Sequence, residues 1–173
     1  MKNIILTGLM GSGKSSVGAL IKEYLLDFEF IETDFLIVQK EGMTINKIFE
    51  EKGEKYFRNT EKLIVDALLK KENQIISLGG GSLENDFDFD AAKKNSVLFY
   101  LKADVEILYE RIKNNKDRPL LKCENPKQKL KDLLDIREKN YMRADYIVEV
   151  NTLTIKETAE KIIGFYKNET RNY

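Results

Sequence analysis

A glycine-rich loop near the N-terminus carries the clearest chemical signal in the chain. Residues 8–15 read GLMGSGKS and match the pattern GxxxxGK[ST]. Glycines let the backbone curl until several N–H groups face one point, and Lys14 adds a full positive charge beside a predicted helix N-terminus. The hydroxyl of Ser15 is suited to bind Mg²⁺. The pattern predicts a nucleotide phosphate site made by Gly11, Ser12, Gly13, Lys14, Ser15 and Ser16.

Acidic and arginine side chains follow the predicted strands and form a second group of residues that could take part in a reaction. In an open parallel sheet, ligands bind at the carboxyl ends of the strands. Glu32 ends the second apolar run and Asp34 follows it, residues 79–81 (GGG) follow the third, and Arg111 and Arg118 lie beyond the fourth. Asp34 is suited to orient or deprotonate a hydroxyl, and Arg118 to close over phosphates. These parts favour phosphoryl transfer from a nucleotide to a compact polar acceptor.

Five short apolar runs alternate with stretches of helical periodicity, and these elements must position the loop and the acids. The runs are residues 3–7, 28–32, 74–78, 96–101 and 146–150. Helices are predicted at 15–26, from 44 to a break at 53, again beyond 53, and at 104–112, 128–141 and 154–167. This alternation predicts an α/β fold with a parallel sheet covered on both faces. A length of 173 residues fits one domain.

Composition narrows the classes of partner and site. Lys and Arg number 29, as do Asp and Glu, so no net charge attracts nucleic acid or anionic lipid. Because the chain has no histidine and one cysteine, Cys123, an internal disulfide and a His- or Cys-rich zinc site are excluded. The apolar run at the start is too short for a signal peptide or a membrane span. We expect a cytoplasmic monomer with no nucleic-acid or membrane partner.

Several short motifs, in their order and approximate spacing, resemble the shikimate kinase family. They are GLMGSGKSS, ETD, GEKYFR, LGGG, RPLL and REKNY, and together they span nearly the whole chain. The resemblance implies a P-loop NTP hydrolase-like fold of three layers, with a five-stranded parallel sheet in the order 2-3-1-4-5. It also implies a substrate-binding helical region at about residues 31–62 and a lid at about residues 113–125. The implied reaction is Mg²⁺-dependent transfer of the ATP γ-phosphate to the 3-hydroxyl of shikimate, in aromatic amino acid biosynthesis.

The resemblance also implies roles for individual residues. Lys14, Asp34 and Arg118 are the expected catalytic residues, and Arg111 and Arg118 are expected to contact the nucleotide. The implied shikimate-binding residues are Asp34, Phe49, Phe57, Arg58, Glu61, Gly80, Gly81 and Arg137. Mg²⁺ is expected to bind Ser15 directly, and Glu32 and Ser77 through water. Two guanidinium groups can hold a carboxylate through forked donors, which suits Arg58 and Arg137 to that task.

Structural roles are the alternatives for some of these side chains. Asp34 could cap a following helix, and Arg58 could pair with Glu61 on a helix face. Phe49 and Phe57 could be ordinary core residues, as their helical spacing allows. Arg111 could be a helix-surface residue, and the triple glycine a simple turn.

The sequence departs from the family pattern at two places, and two other functions are alternatives to shikimate phosphorylation. Glu32 stands where the pattern usually has Asp, and the segment after Tyr141 is one residue shorter. The shortening leaves the adenine contacts beyond Val150 unassigned. The alternative functions are another small P-loop kinase, for gluconate or a nucleoside monophosphate, and a non-catalytic nucleotide-regulated switch.

Overall fold

The protein is described by a computed structural model that covers residues 1–84, 87–113 and 123–170. The strands in these ranges are β1 (Asn3–Thr7), β2 (Glu29–Glu32), β3 (Gln74–Ser77), β4 (Ser96–Lys102) and β5 (Tyr146–Glu149). The helices are α1 (Lys14–Tyr24), α2 (Thr33–Glu41), α3 (Ile45–Leu68), α4 (Phe89–Asn95), α5 (Val105–Ile112), α6 (Pro126–Tyr141) and α7 (Ile155–Thr170). Among the described residues, no helix is long and apolar enough to cross a membrane.

All five strands form one parallel sheet in the order β2-β3-β1-β4-β5. Its centre is apolar on both faces: β1 is buried along its whole length, and Ile5 pairs with Ile76 on one side and Leu98 on the other. Continuous burial of this kind requires helices on the flanks of a parallel sheet. The predicted fold class and strand order are therefore confirmed.

A second, smaller apolar cluster lies beside the sheet and supports α2 and α3. Ile37, Ile48 and Phe57 form its buried part, and Phe49 packs against it. The rings of Phe49 and Phe57 have their centroids 4.9 Å apart. This cluster fixes the two helices next to the carboxyl ends of β2 and β3.

Most element boundaries agree with the sequence-based expectations, and the differences have local causes. Gly53 has φ 82° and ψ 165°, which interrupts α3 as the predicted break requires. Helix α4 was not predicted, because seven residues hold too few turns to show a periodic pattern. Of the predicted lid, only residue 113 and residues 123–125 are described, so Arg118 lies outside the described residues.

Candidate active site

The loop between β1 and α1 has the backbone geometry of a phosphate cradle. Gly11 and Gly13 have φ values of 85° and 95°, a region that side-chain-bearing residues rarely adopt. Lys14 Nζ donates to the carbonyl oxygens of Gly8 at 2.7 Å and Leu9 at 3.2 Å, so the ammonium group lies against the loop. Among the described residues, no side chain caps α1 and no acid occupies its first turn. The positive end of the helix is therefore suited to an anion.

A cleft of about 610 Å³ opens beside this loop at the carboxyl ends of the strands. It is lined by every predicted site residue that the structure describes: Gly11, Ser12, Gly13, Lys14, Ser15, Ser16, Glu32, Asp34, Phe49, Phe57, Arg58, Glu61, Ser77, Gly80, Gly81, Arg111 and Arg137. Residues from nine different elements or loops thus meet in one concave site. This is the usual position of ligands in open parallel α/β folds.

The buried Glu61 and the partly buried Arg58 form an ion pair on one wall of the cleft. Glu61 is only 3% exposed, and its two carboxylate oxygens accept from Arg58 Nη1 at 2.8 Å and from Ser82 Oγ at 2.6 Å. Burial raises the pKa of Glu61, although Arg58 and Ser82 pull it in the opposite direction. Burial also lowers the pKa of Arg58, but the acids around it outweigh this and raise that pKa. Arg58 does pair with Glu61, as the structural alternative for this arginine expected. The pair also orients the guanidinium group of Arg58 at the cleft.

Asp34 is positioned through its neighbour Thr33. The hydroxyl of Thr33 donates to the Ser77 carbonyl at 3.3 Å and accepts from the Gly79 amide at 3.0 Å. These bonds fix the start of α2 to the loop that follows β3. The N-cap of α2 is Glu32 and Asp34 lies in its first turn, so the interpretation of Asp34 as the cap is wrong.

The loop after β3 approaches the acids and Arg58 too closely for a side chain. A Cβ atom at Gly79 would lie 2.5 Å from Glu61 Oε1 and 2.8 Å from Asp34 Oδ1. A Cβ atom at Gly81 would lie 2.6 Å from both terminal nitrogens of Arg58. A side chain at either position would therefore have to displace a charged group of the site, which is a packing demand beyond that of a turn.

Helix α6 brings Arg137 and Tyr141 to the same loop from the opposite side. Arg137 is only 3% exposed, and its Nε donates to the carboxylate of Glu84. The Tyr141 hydroxyl donates to the Gly80 carbonyl, and burial raises the pKa of this phenol. Sequence reasoning assigned no role to Glu84 or to Tyr141. Neither contact has a local sequence signal, because the partners are more than fifty residues apart.

Three oxygen-bearing side chains lie together where the phosphate loop meets the sheet. Ser15 Oγ donates to Glu32, and Glu32 stands opposite Ser77 in the register of β2 and β3. Within the described residues, no group of three or more acidic, histidine or cysteine side chains could hold a metal by itself. Hydroxyl and carboxylate oxygens fit Mg²⁺, which commonly takes one or two protein ligands and completes its shell with phosphates and water.

The other end of the cleft lies between α5 and the segment after β5. Arg111 donates to the Gly11 carbonyl at 3.3 Å and to the Val150 carbonyl at 3.1 Å, so it joins the phosphate loop to β5. Apolar Leu153 and Ile155 line this end, together with Val150, Thr154 and Thr158. Sequence reasoning left these residues unassigned. Their position directly after the last strand is the signal that could have nominated them.

Comparison with known proteins agrees with this geometry. A family model described as shikimate kinase matches residues 10–167. The shikimate kinases of Caldanaerobacter subterraneus subsp. tengcongensis and Thermodesulfovibrio yellowstonii are 43% and 41% identical, and each match covers 96% of this chain and 96% of the relative. A solved structure of shikimate kinase from Acinetobacter baumannii in complex with shikimate has a TM-score of 0.92 at 37% identity, covering 98% of this chain and 94% of that chain. The chain belongs to the shikimate kinase family.

Proposed function

We propose that this protein is a shikimate kinase that transfers the γ-phosphoryl group of ATP to the 3-hydroxyl of shikimate, giving shikimate 3-phosphate and ADP. The observation that supports this most strongly is the content of a single cleft. A phosphate loop, the carboxylate of Asp34, the partly buried Arg58 and the buried Arg137 all line it. An acceptor that carries both hydroxyls and a carboxylate matches this set of groups.

The acceptor end of the cleft presents positive charge from two arginines and negative charge from Asp34. Arg58 and Arg137 offer guanidinium donors to a carboxylate. The partial burial of Arg58 and the nearly complete burial of Arg137 strengthen such contacts by removing competing water. Asp34 accepts hydrogen bonds from hydroxyl groups and repels a second anion. Phe49 and Phe57 supply an apolar wall to the same cleft. Shikimate, with one carboxylate and three hydroxyls on a carbon ring, would be held in a single orientation.

In the reaction, the acceptor oxygen forms a bond to the γ-phosphorus while the bond to the ADP oxygen breaks. Bound ATP with Mg²⁺ would supply the phosphoryl group and the first neutralisation of its charge. Asp34 would orient the attacking hydroxyl and receive its proton. Lys14, beside the loop, balances the charge that develops on the transferred group and the leaving oxygen. Arg118 is proposed for the same task from the lid.

For the metal and the nucleotide, we propose residues at the other side of the phosphate loop. Ser15 would bind Mg²⁺ through its hydroxyl, with Glu32 and Ser77 acting through water. Arg111, Leu153 and Ile155 would enclose the base of ATP, since they line the end of the cleft beyond the loop. A cytoplasmic location and a monomeric state stay predictions, and size-exclusion chromatography with light scattering measures the second.

The function is tested by ADP release from ATP and Mg²⁺ with shikimate, gluconate and nucleoside monophosphates as parallel acceptors. We expect strong stimulation by shikimate alone. Stimulation by another acceptor would reassign the pocket around Asp34, and no stimulation by any acceptor would favour the nucleotide-regulated switch. Asp34→Asn should lower kcat at least about a hundredfold, as expected for loss of a group that acts on the reacting hydroxyl. An unchanged kcat in that variant would remove Asp34 from the chemistry.

A further inference from the structure

Glu84 lies at the wall of the cleft although no motif marks it. Two successive turns, with hydrogen bonds from Ser82 N to Gly79 O at 3.1 Å and from Glu84 N to Gly81 O at 3.0 Å, fold the chain back after the triple glycine. These turns bring the Glu84 carboxylate to Arg137. The side chain of Glu84 is 22% exposed and that of Arg137 is 4% exposed. The ion pair is therefore largely withdrawn from solvent. Because of this, dissolved salt screens the attraction between the two charges only weakly.

The contact fixes how Arg137 presents its other donors. A guanidinium is planar and rigid, so an acceptor at Nε sets the plane in which both terminal nitrogens lie. Arg137 Nη1 lies 3.6 Å from the position that a Cβ atom on Gly80 would take, and Gly80 lines the cleft. With Nε bound to Glu84, a terminal nitrogen of Arg137 thus faces the acceptor end of the site.

Glu84 also acts on the second arginine. A small cavity of about 70 Å³ is lined by both Arg58 and Glu84, together with Glu61, Ser82 and Phe87. Burial lowers the pKa of Arg58, but the charges of Glu61, Glu54 and Glu84 together raise it. The negative charge of Glu84 is therefore felt at both guanidinium groups. Two like charges that face one small site repel each other, and an acid beside them offsets that repulsion.

We propose that Glu84 is a positioning residue for the acceptor's carboxylate: it aligns Arg137 and holds the pair Arg58 and Arg137 ready before the acceptor binds. This inference rests on the proposed function, because it assumes that the two arginines bind the shikimate carboxylate. Alignment in advance removes an ordering cost from binding. Its loss should therefore appear in the affinity for shikimate, and the chemical step and the nucleotide end should be little affected.

The first test is steady-state kinetics of Glu84→Ala and Glu84→Gln with both substrates. We expect Glu84→Ala to raise KM for shikimate about tenfold, the factor that loss of one charge-assisted hydrogen bond gives. Its kcat and its KM for ATP should stay within about twofold of wild type. Glu84→Gln should show a smaller rise, because the amide oxygen still accepts from Arg137 Nε. Glu160→Ala is the matched control, since Glu160 forms an exposed pair with Lys156 on α7.

The second test asks whether Glu84 acts through Arg137. In an Arg137→Ala background, the further change Glu84→Ala should alter KM for shikimate by less than about twofold, because the group that it aligns is gone. An undiminished tenfold rise in that background would overturn the proposal, as would an unchanged KM in the single variant. Equal losses in kcat and in the KM values for both substrates would indicate a general structural role and would also overturn it.

Failure of this inference can be told apart from failure of the proposed function. A wild-type protein without shikimate-dependent ADP release refutes the function and the role of Glu84 together. A wild type that responds to shikimate while both Glu84 variants keep its KM refutes the role of Glu84 alone. Thermal unfolding without ligands shows whether each variant is folded, and Glu84→Gln carries the test if Glu84→Ala does not fold.

Discussion

Gly79→Ala places a single methyl group between the two acids of the site. The added carbon would lie 2.5 Å from Glu61 Oε1 and 2.8 Å from Asp34 Oδ1, whereas ordinary contacts begin at 3.4 Å. The neighbours would have to move by about 0.9 Å and 0.6 Å respectively to restore ordinary contacts. Glu61 is held by Arg58 and Ser82 and is 3% exposed, so it cannot turn away into solvent. The strain therefore falls on Asp34 and on the loop after β3.

The expected effect on activity is large compared with the effect on stability. A misplacement of about 1 Å in a positioned group can lower the rate about a hundredfold, and we expect a fall of that order in kcat/KM for shikimate. Overpacking of this kind lowers the free energy of unfolding by about 1–3 kcal/mol. A coupled ADP-release assay measures the first quantity, and urea unfolding followed by circular dichroism measures the second.

Gly164→Ala provides the matched control for this substitution. No atom lies within 4 Å of the carbon that it adds, and Gly164 is an exposed residue of α7. It should leave kinetics unchanged and raise the free energy of unfolding by about 0.5–1 kcal/mol, the helix preference of alanine over glycine. If Gly79→Ala kept kcat/KM within about twofold of wild type while folded, the close packing of Asp34 and Glu61 against the loop would be refuted as a requirement for activity.

Two further predictions follow from the burial and the contacts of single side chains. Because burial raises the pKa of Glu61 above its ordinary 4.5, folding favours its protonated form, and the stability that this gives is lost as pH rises through the raised pKa. Glu61→Gln should therefore gain stability relative to wild type as the pH rises above the ordinary 4.5. Urea unfolding at each pH measures this, and a relative loss would contradict the burial effect. Arg111→Ala should raise KM for ATP about tenfold and leave KM for shikimate unchanged. The reason is that Arg111 donates to the carbonyls of Gly11 and Val150, at the nucleotide end of the cleft. Equal changes in both KM values would contradict this and show that Arg111 acts on the whole cleft.

The central fold could be predicted from the sequence because its signals are local and strong. Buried strands such as β1 and β4 show as apolar runs, and the conformation at Gly53 shows as a break in helical periodicity. Helix α4 could not be predicted, because its seven residues are too few to show a helical pattern of apolar side chains. Its place is set by burial of Phe89 and Ala92 against the rest of the core, which is a tertiary effect.

The candidate site likewise contains some residues that could be assigned from the sequence and others that could not. The phosphate loop is one continuous motif, so its residues could be assigned from spacing alone. The pairs Arg137 with Glu84 and Tyr141 with Gly80 join positions far apart in the chain, and no short pattern contains both partners. Leu153 and Ile155 are ordinary apolar residues by type, and only the geometry of the cleft distinguishes them from core positions.

The most direct test of the assignment is to identify the product. Purified protein is incubated with ATP, Mg²⁺ and shikimate, and the acceptor product is examined by mass spectrometry and by phosphorus–proton correlated NMR. We expect one shikimate phosphate for each ADP formed, with the phosphorus coupled to the proton on carbon 3. Release of ADP with inorganic phosphate and unmodified shikimate, or phosphate on a different hydroxyl, would contradict the proposed reaction.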